Sequence, residues 1–143
     1  MDSQVDLTDS TDLVVADLMT IDPVVVAVDA SIEDAAHLLH ANSISGLPVV
    51  DPLGALVGVI SQTDLVGVSD SPVGRLIRAR PTGLRVGELM SSPAMTVPMT
   101  GSLRDAARTM VDSRVHRLVA IDDAGRPVGV LSAIDLVTLF LET

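Results

Sequence analysis

The residues best suited to chemistry in this chain come in spaced pairs. Ser61 and Asp64 stand three apart, as do Ser132 and Asp135. Each pair follows a glycine and two aliphatic residues, Gly58-Val59-Ile60 or Gly129-Val130-Leu131. At this spacing a serine and a carboxylate form a capping box at a helix start. The same groups have a second use. A carboxylate accepts hydrogen bonds from both hydroxyls of a ribose, and a serine beside the free N–H groups of a helix start suits a phosphate. Glycine permits close backbone approach at the end of a strand. Spacing alone does not choose between the two uses, because Ser31/Asp34 and Ser102/Asp105 repeat it as plain helix caps.

Other constellations are fewer. His116-Arg117 sits just before the apolar run Leu118–Ile121; arginine offers phosphate a planar bidentate fork, and a protonated histidine can donate. Glu33, His37 and His40 share one helix face, a spacing that could ligate zinc, but that face lies opposite Ile32, Ala36 and Leu39 and reads as a solvated or dimer-facing surface. Arg75, Arg78 and Arg80 lie in a linker, and the N-terminus is rich in Asp, a weak lure for divalent cations. No catalytic triad, P-loop or pair of catalytic carboxylates can be assembled, so no enzyme, no catalytic residue and no resident cofactor or metal is expected.

Composition narrows the classes further. The 143 residues carry a formal net charge of −10. Residues 1–74 hold 12 carboxylates and no Lys or Arg, whereas residues 75–143 hold 7 carboxylates and all 9 arginines. Fixed positive charge for an anionic ligand must therefore come from the second half. An acidic chain with no basic stripe, and with Phe140 as its only aromatic residue, is a poor candidate for nucleic acid. Cysteine is absent, which removes disulfides and thiolate sites and suits a cytoplasmic chain. The acidic start, MDSQVDLTDSTD, reads neither as a signal peptide nor as a basic targeting sequence, and the longest apolar runs are too short to span a membrane.

The elements that must position these residues are duplicated. At an offset of 71 residues, positions 11–66 align with 82–137 without a gap, and 20 of the 56 pairs are identical. The expected organisation is a first repeat at 11–70, a linker at 71–81 and a second repeat at 82–143. Each repeat opens with a short amphipathic segment (Leu13–Met19, Leu84–Met90) and an apolar run. That run is Val24–Val28 in the first copy; in the second, Pro98 marks a strand end or sheet edge. A helix then starts at Ser31 or Ser102, with Ile32, Ala35, Ala36 and Leu39, or Leu103, Ala106, Ala107 and Met110, at helical spacing. Two short strands follow, joined by Asp51-Pro52-Leu53-Gly54 or Asp122-Asp123-Ala124-Gly125. A last helix closes the unit. The expected class is α+β: two β-α-β-β-α repeats, each too small to stand comfortably alone, packed sheet to sheet about a pseudo-twofold axis. The tail Ile134, Leu136, Val137, Leu139, Phe140 and Leu141 is apolar on more than one helix face, which predicts a homodimer.

The repeated motifs, SIEDAA…LPVVD…LVGVISQTDL and SLRDAA…VHRLVAID…PVGVLSAIDL, resemble a tandem pair of cystathionine-β-synthase (CBS) domains, a Bateman module. The resemblance covers about residues 11–140. It implies a stand-alone regulatory module that binds adenosine compounds of the AMP, ADP or ATP class, with magnesium accompanying ATP, in two clefts between the repeats. It also implies dimerisation through the helices and an unidentified regulated protein. By that resemblance Thr20, Val24, His116, Arg117, Ser132 and Asp135 form one cleft, and His116-Arg117 matches a pair that reaches ligand phosphates in the nucleotide-regulated kinase branch. Ser45, Ser61, Asp64, Ser91 and Met95 form a second, weaker cleft, since Ser45-Gly46 replaces His-Arg there. Two alternatives remain at this level: an interaction module with vestigial clefts, and a divalent-cation sensor.

Overall fold

The computed structural model describes residues 13–69 and 83–141. The acidic N-terminus, the linker 71–81 and its three arginines lie outside the described residues. The chain divides into two compact units, one made of 1–23 and 95–143, the other of 24–94. The fold is mixed α+β.

In the first unit, β1 (Thr20–Ile21), β5 (Thr96–Pro98), β6 (Arg117–Ile121) and β7 (Pro127–Ser132) form a sheet in the order β1-β7-β6-β5. Pro98 closes β5 at the sheet edge, where its missing N–H leaves no gap in a central ladder. α4 (Leu103–Ser113) and α5 (Ala133–Leu141) supply the helical layer. Leu118 and Ala120 of β6 and Leu131 of β7 pack with Leu103, Ala106, Met110 and Leu136, sealed by Val15. The second unit repeats this plan. β2 (Val26–Ala27), β3 (Gly46–Val50) and β4 (Leu56–Ser61) order as β2-β3-β4. Leu47, Val49 and Ile60 pack on Ala35 and Leu39 of α1 (Ile32–Asn42), with Val86 of α3 (Val86–Leu89) in the place of Val15. α2 (Gln62–Ser69) follows β4.

Local sequence accounts for the joints. Ser31 accepts from the Asp34 N–H at 3.1 Å and Ser102 from the Asp105 N–H at 3.0 Å, so both long helices begin where the caps were expected. The hairpin turns end on glycines with positive φ, Gly54 at 86° and Gly125 at 79°. Asp122 Oδ1 accepts from the N–H groups of Ala124 and Arg126, both at 2.9 Å. The Arg126 N–H chiefly holds the Asp122 carboxyl below its ordinary value, helped by the Ala124 N–H and the Arg126 guanidinium. Stability from this turn is therefore present at neutral pH and is lost as pH falls through that lowered value.

The compact units cut across the sequence repeats. The opening segment of the first repeat docks on the body of the second: the Val15 N–H donates to Gly101 at 2.8 Å and the Ala16 N–H to Met99 at 2.9 Å. The opening segment of the second repeat docks on the body of the first, with the Val86 N–H donating to Ala30 at 2.8 Å and the Gly87 N–H to Val28 at 2.9 Å. One helical expectation changes. Ile32, Ala35 and Leu39 are buried, but Ala36 is exposed, because the sheet covers a narrower stripe of α1 than the apolar pattern suggests.

Candidate functional site

Each unit ends its central hairpin in the same way. In the first, β7 finishes at Ser132 and α5 begins at once. The Ser132 N–H donates to Asp135 Oδ2 at 2.9 Å, and the Asp135 N–H donates to Ser132 Oγ at 3.2 Å. In the second, the Ser61 N–H donates to Asp64 Oδ2 at 2.9 Å and the Asp64 N–H to Ser61 Oγ at 3.2 Å. The Ser61 hydroxyl adds a bond to Asp64 Oδ2 at 3.1 Å. Both motifs are thus reciprocal capping boxes. Each carboxylate gives Oδ2 to the cap. The cap and a ligand-binding role are compatible uses of one side chain.

Neighbouring strands bring further residues to the same end. Arg117 pairs with Ser132 in the β6–β7 ladder, and Gly46 pairs with Ser61 in the β3–β4 ladder. The His116 carbonyl accepts from the Ala133 N–H at 2.7 Å, as the Ser45 carbonyl accepts from the Gln62 N–H at 2.9 Å. On the outer side, Thr20 of β1 pairs with Val130. Its counterpart Ser91 bridges Val59, exchanging N–H···O bonds of 2.9 and 3.0 Å. Thr20, His116, Arg117, Ser132 and Asp135 are therefore gathered at one end of the first unit, and Ser45, Ser61, Asp64 and Ser91 at one end of the second. Val24 and Met95 do not join their expected companions within a unit. Val24 packs on the core of the second unit, and Met95 lies in the first, its carbonyl accepting from the Val119 N–H at 3.1 Å.

The two glycines have a visible cause. A Cβ on Gly129 would overlap the Met19 thioether sulfur and stand 2.8 Å from the Thr20 carbonyl oxygen. A Cβ on Gly58 would stand 2.6 Å from Met90 Sδ and 2.7 Å from the Ser91 carbonyl. Glycine at these positions lets the segment carrying Thr20 or Ser91 close on the strand that carries the motif. Met19 and Met90 were not singled out from the sequence. The available signal was a methionine directly before Thr20 and Ser91 in both copies.

Glu33, His37 and His40, which share a face of α1, do not form a metal-holding group. Among the described residues no group of three His, Asp or Glu side chains could hold a metal. His37 and His40 are exposed, while both carboxylate oxygens of Glu33 are buried with no hydrogen-bond partner among the described residues. Such a group is costly to bury. Glu33→Met, which keeps the length of the side chain, is expected to raise stability by about 1 kcal/mol in a urea unfolding curve.

With this geometry, comparison with known proteins defines the class. The CBS domain family matches residues 15–71 and 86–142, and the chain belongs to that family. Among its relatives, CBSX2 of Arabidopsis thaliana, a chloroplastic CBS domain-containing protein, is 30% identical over 140 residues; the match covers 82% of this chain and 58% of that protein, so the chain spans little more than half of its length. A crystal structure of CBSX2 in complex with AMP superposes with a TM-score of 0.76 at 34% identity, covering 90% of this chain and 96% of that one. The CBS domain pair of protein MJ0100, solved with 5′-methylthioadenosine and S-adenosyl-L-methionine, superposes with a TM-score of 0.70 at 26% identity, covering 91% and 97%. No helix among the described residues is long and apolar enough to cross a membrane.

Proposed function

We propose that the chain is a regulatory module that binds adenosine-containing ligands, with AMP, ADP or ATP as the favoured class. The observation that carries this reading is the duplicated strand-end motif, in which Ser132/Asp135 and Ser61/Asp64 hold a carboxylate oxygen, a serine and a helix start at one point. In this reading Asp135 accepts from the ribose hydroxyls while Ser132, His116 and Arg117 meet the phosphate. Thr20 offers backbone and hydroxyl contacts. Ser45, Ser61, Asp64 and Ser91 form a weaker counterpart with Ser45-Gly46 in place of His-Arg, and magnesium enters only with ATP. The adenine is held between aliphatic side chains, as a chain with one aromatic residue requires. The AMP-bound and S-adenosylmethionine-bound relatives support the ligand class.

A ligand that prefers one arrangement of the module shifts its population, and a partner protein reads the shift. The chain does no chemistry on its ligand in this reading. The experiment is a thermal-shift series across AMP, ADP, ATP, adenosine and guanine nucleotides, with and without magnesium. Adenine compounds at 100 times their dissociation constant are expected to stabilise by about 2.7 kcal/mol, and guanine compounds by less. If no adenosine compound moves the melt at millimolar concentration, the motifs are helix caps alone. The competing reading as a protein-interaction module would then stand.

The partner we infer in addition is a second copy. Ile134, Val137, Phe140 and Leu141 are 48–77% exposed on α5, and Val111 on α4 is 75% exposed. That is more exposed aliphatic and aromatic surface on one pair of helices than scattered single residues account for. Light scattering at micromolar concentration is expected to give twice the chain mass. A clean monomer would contradict the homodimer.

A further inference from the structure

The two motif ends are alike in backbone and unlike in charge. Hydrogen bonds at 61–64 recur at 132–135, the 45–62 carbonyl bond recurs at 116–133, and the Gly46–Ser61 pair recurs as Arg117–Ser132. Against this common frame, His116-Arg117 in the first unit faces Ser45-Gly46 in the second.

Gly46 is not a glycine that the backbone demands. Its φ lies outside the left-handed region, and among the described residues a Cβ there would meet only the Ile60 carbonyl oxygen at 3.6 Å and Val59 Cγ1 at 3.9 Å, ordinary contact distances. This sets it apart from Gly58 and Gly129, which cannot accept a side chain without displacing backbone. What Gly46 withholds is therefore a side chain beside the motif, not a fold.

Resting on the adenosine-binding reading above, we propose that the two ends select ligands of different charge. The Asp135 end takes phosphorylated adenosine. The Asp64 end takes uncharged or cationic adenosine compounds, the sulfonium class among them, and the residue at position 46 or 117 is the selector. A carboxylate with a glycine rather than an arginine at the neighbouring register position repels a phosphate dianion and attracts a sulfonium. An arginine at that register position reverses the preference through a charge-assisted, bidentate bond.

The test is calorimetric titration of the intact chain with three probes: AMP, adenosine and S-adenosylmethionine. Asp135→Ala silences the first end and isolates the second. In that variant adenosine and S-adenosylmethionine are expected to bind at least tenfold more tightly than AMP. Adding Gly46→Arg is expected to tighten AMP by about 10- to 100-fold and to weaken S-adenosylmethionine. Gly46→Lys carries the same expectation for AMP at a smaller gain, and it serves if the arginine variant does not fold. Asp135→Ala binding AMP as well as adenosine would overturn the selector, as would an unchanged ratio in a folded Gly46→Arg or Gly46→Lys chain, or loss of all three probes in Asp135→Ala. If the unmodified chain binds none of the probes, the adenosine reading itself has failed, and the selector falls with it.

Discussion

Gly129→Val is expected to lower the melting temperature by roughly 5–15 °C, the largest single-residue effect foreseen outside the hydrophobic cores. The reason is local. The first carbon of any side chain at 129 would overlap the Met19 sulfur and stand 2.8 Å from the Thr20 carbonyl. A flexible thioether can swing away, but a backbone carbonyl held in the β1–β7 pairing cannot, so the opening segment of the chain must lift off its sheet. Overpacking of this kind typically costs about 1–3 kcal/mol, and the lost pairing adds to it. Two controls belong with it. Met19→Ala in the Gly129→Val chain should recover only part of the loss, because the carbonyl contact remains. Gly46→Ala, at a strand glycine with open surroundings, should stay within about 0.5 kcal/mol of the original. Equal damage from both glycines in a thermal melt would show that the contact of Met19 and Thr20 with Gly129 is not the cause.

Asp135→Ala is expected to act twice. Without ligand it removes the acceptor of the Ser132 N–H and weakens the start of α5 by about 0.5–2 kcal/mol. With ligand it removes the ribose acceptor, and AMP affinity should fall by about 10- to 100-fold. Ser102→Ala separates the effects, since it costs α4 a similar cap at a place with no proposed ligand contact. The two variants should melt alike without ligand and differ sharply in AMP binding. Ser102→Ala weakening AMP as much as Asp135→Ala would reduce the motif to a cap. Asp64→Ala should lose the cap on α2 and leave AMP binding at the Asp135 end largely intact.

Much of this architecture is legible in the residues. The offset of 71 predicts the duplicated hairpins, the caps at Ser31 and Ser102, and the edge position of Pro98. The exchange of opening segments is not legible, for a physical reason. Leu13 and Leu84, Val15 and Val86, and Met19 and Met90 are identical pairs, so either segment presents the same side chains to either body. Periodicity cannot tell docking in its own repeat from docking in the other. The burial of Glu33 is hidden in a similar way, because a charged residue at an exposed helical phase carries no sign of what covers it. The two uses of Asp64 and Asp135 share one spacing, since the bonds that cap the helix also orient the carboxylate.

We propose that this CBS pair binds an adenosine ligand through its Asp135 end and holds the phosphate with Arg117. Equilibrium dialysis of the intact chain and of Arg117→Ala, against labelled AMP and labelled adenosine, tests it most directly. Both compounds are expected to bind the intact chain saturably, and the Arg117→Ala chain to lose about 10- to 100-fold in AMP affinity while its adenosine affinity stays within about twofold. No bound AMP or adenosine at millimolar concentration, or equal losses of both in Arg117→Ala, would contradict it.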